Sequence, residues 1–338
     1  MKTRMAIVGC GSIGKRHAAV IDAEENAEFV AACDLQEERL EELKEHYPNI
    51  KTYTSFDEML RQNGLDIVVI ATPHHMHEAM TIKACEHKMN VLVEKPMALT
   101  SESCERMNQA AERNKVNLWV VKQNRFNIPV KITKDAMDKG MLGRIFMVKC
   151  DILWNRYPGY YNESDWRGRK DKEGGALYTL GSHFIDLLLM WFGDLKSAKG
   201  YMALRNHDIE IEDLGMATVE FKNGIIGQLN WTTCVYNKNY EGSITIIGEN
   251  GTVKIGGKYL NRIEYWDVNG YPLQEGVEYV DKPNLYGKYQ GTSSNHDKVI
   301  GALCHKMKED QYEIVDGIEG KRTIDATELI YNSIEYLA

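Results

Sequence analysis

No CxxC pair occurs in the 338-residue chain, and its seven cysteines (Cys10, Cys33, Cys85, Cys104, Cys150, Cys234, Cys304) are an odd number scattered through apolar segments. That pattern argues against a disulfide framework or a zinc ribbon and for reduced thiols with a packing role. No apolar run approaches the ~18 residues that a membrane span needs. The N-terminal MKTRMAIVG enters a strand-like segment directly, with no signal-peptide h-region, so a cytoplasmic location is expected. Basic residues are outnumbered, 41 Lys and Arg against 49 Asp and Glu, for a net charge of −8. A nucleic-acid-binding surface is thereby disfavoured. Internal repeats and low-complexity segments are absent. What is present, 43% hydrophobic and 27% charged residues, suffices for substantial cores, and the length fits two domains.

The first 125 residues alternate strand and helix signals. Strands are expected at Met5–Val8, Phe29–Cys33, around Tyr53, at Asp66–Ala71, ending at Glu94, and at Leu118–Val121. Helices are expected at Ile13–Ala23, Gln36–His46, Phe56–Gln62, His77–Lys88 and Ser101–Asn114, with Ser55 and Glu58 forming a capping box. The continuous apolar run DIVVIA is that of a strand covered on both faces. The alternation implies a parallel, doubly wound sheet. Beyond about residue 145 the pattern becomes α+β. One helix, 175–191, and two closing helices, Asn295–Lys308 and Thr323–Leu337, accompany strands at Ile145–Leu153, Ala198–Leu204, Gly215–Phe221, Ile225–Thr232, Ser243–Ile247, Thr252–Ile255 and Arg262–Asp267. Asn-Gly pairs at Asn223 and Asn250 lie between apolar strands, a strong hairpin signal. The expected fold is thus an α/β Rossmann domain, residues 1–125, and an α+β domain, 126–338, with a large, mostly antiparallel open sheet. Its last helix is a candidate to pack back on the first domain.

GCGSIG supplies Gly9, Gly11 and Gly14 between a strand and a helix. Gly9 permits the tight turn, Gly11 the approach of a pyrophosphate, and Gly14 close helix–strand packing. Ser12 and Ile13 open the helix, whose free N–H groups and partial positive charge suit phosphates. Asp34, twenty positions after Gly14, ends the second strand, where an acid would hold a ribose 2′-OH. A carboxylate there repels a 2′-phosphate, which favours NAD over NADP, with Arg39 the nearest cation. Ligands of such sheets bind beyond the carboxyl ends of the strands. That rule adds Ser55, Thr72, Pro73, His74, His77, Glu94, Lys95, Gln123 and Asn124 to the cofactor set. The histidines of ATPHHMH are joined by no acid or cysteine, and no metal is expected.

Lys95 falls where a nicotinamide would lie. Oxidation of an alcohol by NAD leaves a hydroxyl proton that needs an acceptor. A lysine partly desolvated beside a cationic nicotinamide has its charged form disfavoured, which suits that task. The alternative is a lysine snorkelling from a strand end. On GGALYTLGSHFIDLLLMW, His183 has Thr179 four residues before it and Asp186 three after, roughly one helical face. His183 is a candidate to relay the proton or bind the substrate hydroxyl; a core histidine with a local partner is the alternative.

Together GCGSIG, Asp34, YTSFDEML, ATPHHMHEAM, VEKP and GGALYTLGSHFID resemble the Gfo/Idh/MocA oxidoreductases along essentially the whole chain. The resemblance implies Lys95 as the acid/base of the E-K-P motif and His183 as the histidine of the helix motif. The family usually carries an aspartate four residues before that histidine; here Thr179 stands there, which weakens an Asp–His relay. KQNRFNIPV, DWRG and NHDKVI resemble the nucleotide-sugar subgroup, which includes UDP-N-acetylglucosaminuronate 3-dehydrogenases of surface-polysaccharide synthesis. That likeness implies Trp166 and Arg167 at the cofactor. It also implies Arg125, Lys122, Tyr160 and Asn295 at an anionic sugar, with Thr179 and His183 lining the site and His296 near it.

Three functions remain open: an NAD-dependent dehydrogenase of a UDP-linked uronate, a dehydrogenase of a free polyol or monosaccharide, and a dinucleotide-binding regulator without catalysis. A homodimer or homotetramer is expected, because the few helices of the second half cover only one face of its sheet.

Overall fold

The computed structural model describes residues 2–157, 159–275, 283–286, 289–309 and 314–337, with only the backbone of 283–286 and 289–293. The first part of the chain runs β1 (Thr3–Val8), α1 (Ser12–Ala23), β2 (Ala27–Cys33), α2 (Glu37–His46), β3 (Lys51–Tyr53), α3 (Phe56–Leu60), β4 (Ile67–Ile70), α4 (His77–Glu86), β5 (Asn90–Val93), α5 (Ser101–Asn114) and β6 (Leu118–Val120). The sheet order is β3-β2-β1-β4-β5-β6, and every pairing is parallel. This is the doubly wound sheet that the alternation implied. Its strand order reverses beside β1, so the carboxyl ends of β1 and β4 open the crevice where such sheets take their ligands. All four residues of β4 and Val91–Val93 of β5 are fully buried, which is why these strands read as unbroken apolar runs. Ser55 caps α3, its Oγ accepting from the Glu58 N–H at 3.4 Å.

The chain continues through α6 (Ile128–Asp138), β7 (Ile145–Leu153), a π turn (Leu177–Gly181), α7 (Ser182–Phe192), β8 (Leu195–Ala203), β9 (Leu214–Phe221), β10 (Ile226–Thr232), β11 (Glu241–Gly248), β12 (Gly251–Gly256), β13 (Arg262–Val268), β14 (Pro283–Tyr286) and β15 (Tyr289–Ser293). It ends with α8 (His296–Glu309), α9 (Gly317–Ser333) and β16 (Glu335–Leu337). The eight-stranded order is β13-β12-β11-β7-β10-β9-β8-β16, antiparallel except at β10–β7 and β16–β8. Both Asn-Gly pairs turn hairpins, β9–β10 and β11–β12.

Contacts group the chain into two compact units, Met1–Lys122 with His296–Ile324, and Gln123–Asn295 with Asp325–Ala338. In the second unit, inward residues such as Leu229, Trp231, Ile244 and Val253 form one core with Leu177, Phe184 and Leu188. The outward face is unusually apolar: Met147, Tyr201, Met216 and Ile226 are all at least 41% exposed. The register sets Tyr201 beside Met216 and Met147 beside Ile226. No helix among the described residues is long and apolar enough to cross a membrane.

Candidate active site

The glycine turn fits a dinucleotide for a different steric reason at each position. Gly9 has φ +92°, a conformation that favours glycine, and a Cβ there would lie 2.6 Å from the Ala71 carbonyl oxygen. A Cβ on Gly14 would run into the Gly9 carbonyl oxygen. A Cβ on Gly11 would meet no protein atom within 4 Å. The protein itself therefore demands glycine at 9 and 14, whereas at 11 only something outside the chain can. No side chain caps α1, so the first-turn N–H groups, Ser12 and Ile13 included, are those a phosphate would take. Asp34 is buried at the end of β2. Its carboxylate accepts from the Cys10 N–H at 2.7 Å and the Gln36 N–H at 2.9 Å, with the Arg39 guanidinium 3.4 Å away. This pins the acid at the rim and sets the one cation considered for a 2′-phosphate against the acid itself.

At the end of β4, Pro73 precedes a 3-10 turn, His74–Met76, in which His74 is buried. His77 is wholly buried and clamps two strand ends: Nδ1 lies 2.8 Å from the Pro96 carbonyl oxygen, and Nε2 lies 2.9 Å from that of Thr72. Burial pushes the imidazole below its ordinary value, against those two hydrogen bonds. His77 thus braces the rim from behind. Thr72 Oγ1 and both amide atoms of Asn124 are buried with no partner among the described residues. Each such orphan costs about 1–3 kcal/mol unless a ligand satisfies it. Both residues are among those expected at the cofactor. Gln123 is buried beside Asn124 in the chain.

Lys95 stands half-buried at the end of β5, followed by a cis peptide to Pro96. Glu94 does not point outward as a cofactor ligand would. Its Oε1 is 2.8 Å from His17 Nε2 and 3.6 Å from His296 Nε2, and its Oε2 accepts the Lys95 N–H at 3.1 Å. Burial alone would raise this carboxyl, but the His17 hydrogen bond and the nearby His296 ring outweigh it and hold the acid well below the usual carboxylate range. Glu94 is thus a buried anion that anchors the backbone of Lys95. His17, which the sequence reading passed over, braces it from α1, 77 residues away; nothing local in GCGSIGKRH signals that contact. Lys122 is also buried, donating to Thr323 Oγ1 at 3.0 Å.

The second unit carries the other candidates. Tyr160 is buried between two guanidiniums, Arg156 at 4.7 Å and Arg167 at 4.3 Å from its ring centre. Arg167 also donates to the Tyr160 carbonyl at 3.2 Å, and Trp166 is half-buried beside it. Ahead of α7 the backbone needs Gly175, whose φ is +157° and whose Cβ would strike the Tyr331 hydroxyl and lie 3.0 Å from Glu212. Glu212 is fully buried and accepts from the Ala176 N–H (3.0 Å), the Trp231 indole (3.1 Å) and the Tyr331 hydroxyl (2.6 Å). Burial pushes its carboxyl up to about 7. This brace under the His183 helix joins residues 119 apart and was not legible locally.

The helix itself departs from expectation. Leu177–Gly181 forms a π turn before α7, so the α-helical spacing that aligned Thr179 with His183 and Asp186 does not run through that turn. Thr179 instead donates to Glu173 at 2.7 Å. His183 is buried in the first turn of α7. Asp186 holds Arg125 in a bidentate pair, 2.7 and 2.8 Å. Asn295 is buried and donates to Asn127 at 2.8 Å. Among the described residues two groups have donor atoms close enough for a metal ion, His17–Glu94–His296 and His207–Asp213–Cys234. Their hydrogen bonds give the first a structural task, and in the second His207 is held by Asp213 at 3.1 Å and the Arg156 carbonyl at 3.1 Å.

Comparison with known proteins bears on this arrangement. Residues 3–122 match the oxidoreductase family with an NAD-binding Rossmann fold, and residues 130–254 match the Gfo/Idh/MocA C-terminal domain. The WlbA dehydrogenase of Bordetella pertussis, solved with NADH and UDP-GlcNAcA, is 34% identical over 98% of this chain and 96% of its own, at a TM-score of 0.87. The Chromobacterium violaceum WlbA, solved with the same two ligands, is 33% identical over 98% of this chain and 93% of its own, at 0.88. A 1-carboxy-3-chloro-3,4-dihydroxycyclohexa-1,5-diene dehydrogenase of Comamonas testosteroni is 25% identical over 73% of this chain but only 62% of its own length. With the glycine turn, the acid at β2 and a lysine at the end of β5 in place, the chain belongs to the Gfo/Idh/MocA family of oxidoreductases, and its first unit is that family's NAD-binding Rossmann domain.

Proposed function

We propose that the protein oxidises a secondary hydroxyl of a nucleotide-linked sugar, C3 of a UDP-linked N-acetylated uronate, with NAD as hydride acceptor. The observation that carries this reading is the 34% identity, along 98% of the chain, to a dehydrogenase solved with NADH and UDP-GlcNAcA. NAD, held at the glycine turn and Asp34, would supply the hydride acceptor. Lys95 accepts the hydroxyl proton and returns it in the reverse direction. Its backbone is fixed by Glu94, so the amine's approach is set by the fold and not by a mobile loop. His183 binds the reacting hydroxyl or passes its proton on. Arg125, its guanidinium held by Asp186, meets the sugar carboxylate, and Asn295 donates to Asn127. The apolar outer face of the eight-stranded sheet is covered by a second copy, giving a homodimer or homotetramer.

A panel of UDP-sugars and free sugars, each with NAD, tests the reading through NADH formation. Turnover is expected with the UDP-linked N-acetyl uronate. Turnover of a free inositol or monosaccharide instead would assign the second function considered above. NADH binding without turnover of any sugar would assign the regulator.

A further inference from the structure

Thr179, four residues before His183, has no carboxylate of its own. The fold brings one to it. Thr179 Oγ1 donates to Glu173 Oε1 at 2.7 Å, and the second oxygen of Glu173 accepts the Gly168 N–H. Glu173 is 2% exposed, whereas Thr179 is only half-buried. Burial raises the Glu173 carboxyl, while the Gly168 N–H, the Thr179 hydroxyl, Arg156 and Arg167 all favour its charged form. The acid directly precedes Gly174 and Gly175, whose φ values of +92° and +157° let the chain double back and bring residue 173 against the π turn that carries Thr179.

We propose that Glu173 is a positioning residue that fixes the Thr179 hydroxyl as a hydrogen-bond acceptor for a substrate hydroxyl, in place of the missing helix carboxylate. This rests on Thr179 and His183 lining the sugar site as set out above. Both oxygens of Glu173 accept, one from the Gly168 N–H and one from Thr179, so Thr179 commits its single O–H to Glu173. Toward every other partner Oγ1 is then an acceptor. The pair therefore selects a sugar position that donates, a hydroxyl, and disfavours a keto or deoxy group there. The Gly168 N–H on the same carboxylate ties the Trp166–Gly168 loop to this selection.

The test is a double-mutant cycle on the full-length enzyme. It measures the Kd of UDP-GlcNAcA for the NADH complex by calorimetry, and KM and kcat with NAD, for Thr179→Val, Glu173→Gln and the double variant. Thr179→Val is expected to weaken Kd and raise KM about 10-fold, with a smaller change in kcat. Thr179→Ser keeps the hydroxyl and recovers most of that loss. Glu173→Gln matches Thr179→Val, because an amide can donate to Thr179 and turn its O–H outward. The double variant is expected to bind the sugar no worse than Thr179→Val alone, since the proposal routes the effect of Glu173 on the sugar through Thr179. Losses that multiply in the double variant, or wild-type Kd and KM in Glu173→Gln, overturn the proposal. If Glu173→Gln fails to fold, Glu173→Asp keeps the charge but withdraws it from Thr179, and wild-type KM in that variant overturns the proposal equally. If the wild type oxidises a different sugar, the substrate reading fails, and the same cycle run on that sugar still decides the role of Glu173.

Discussion

Replacing the glycines of GCGSIG one at a time separates what the fold needs from what the nucleotide needs. Gly11 has φ −71° and ψ −165°, which alanine adopts freely, and its added Cβ meets no protein atom within 4 Å. Gly11→Ala should leave the first unit as stable as before, or more so by about 0.5 kcal/mol through the unfolded chain. Gly14→Ala drives a methyl into the Gly9 carbonyl oxygen, a backbone atom that can retreat only by moving the turn. Overpacking of that kind costs about 1–3 kcal/mol. In a unit of this size the loss lowers the melting temperature by roughly 3–10 °C. Nucleotide affinity should show the reverse contrast. In Gly11→Ala the methyl occupies the space through which a pyrophosphate reaches the backbone, weakening NADH about 10- to 100-fold, or about 1.4–2.7 kcal/mol. Thermal unfolding without ligand and NADH fluorescence titration read the two effects independently. A Gly11→Ala protein that binds NADH like the wild type would refute the placement of the pyrophosphate.

Three further outcomes follow from the second unit. Glu212 has a folded-state carboxyl raised from 4.5 to about 7. Its contribution is therefore fully present below pH 4.5 and lost as pH rises through about 7, on the order of 3 kcal/mol. Glu212→Gln should flatten that slope in urea unfolding across pH 4.5 to 8, and an unchanged slope would contradict it. Asp186→Ala leaves the Arg125 guanidinium without its bidentate partner and should cost about 3–5 kcal/mol in denaturant unfolding, with the Asp186→Ala/Arg125→Ala double variant losing less than the sum of the two single losses. Ile226→Lys places a charge on the exposed apolar face. If the proposed oligomer forms through this face, the variant should sediment as a monomer where the wild type does not, whereas a wild-type protein that already sediments as a monomer would dismiss that interface.

Much of the first unit was legible because its signals are local. The β4 run IVVI is apolar at every turn of the pleat because both faces are covered, and GCGSIG and Asp34 each mark a strand end by residue type alone. Both Asn-Gly hairpins formed for the same reason. α6 was overlooked although Pro129 sits in its first turn, where proline is at home; its residues were read as a motif and not as a periodic face. The last helix begins at Gly317 and not at Thr323, and it ends at Ser333 because the chain leaves it to pair β16 with β8. The site was legible where a residue's place follows from a strand end, as for Lys95 after β5. It was illegible where a role depends on a partner distant in sequence. Glu94 reads as a rim acid until His17 is seen to hold it, and Thr179 reads as a lost carboxylate until the π turn brings Glu173 to it.

The central claim is that Lys95 handles the proton of an alcohol whose hydride goes to NAD. Lys95→Ala, assayed for NADH binding by fluorescence and for NADH formation from the UDP-linked uronate, tests it most directly. The predicted result is NADH affinity within about 2-fold of the wild type and kcat lower by about 10²–10⁴. Wild-type turnover in Lys95→Ala would contradict the account.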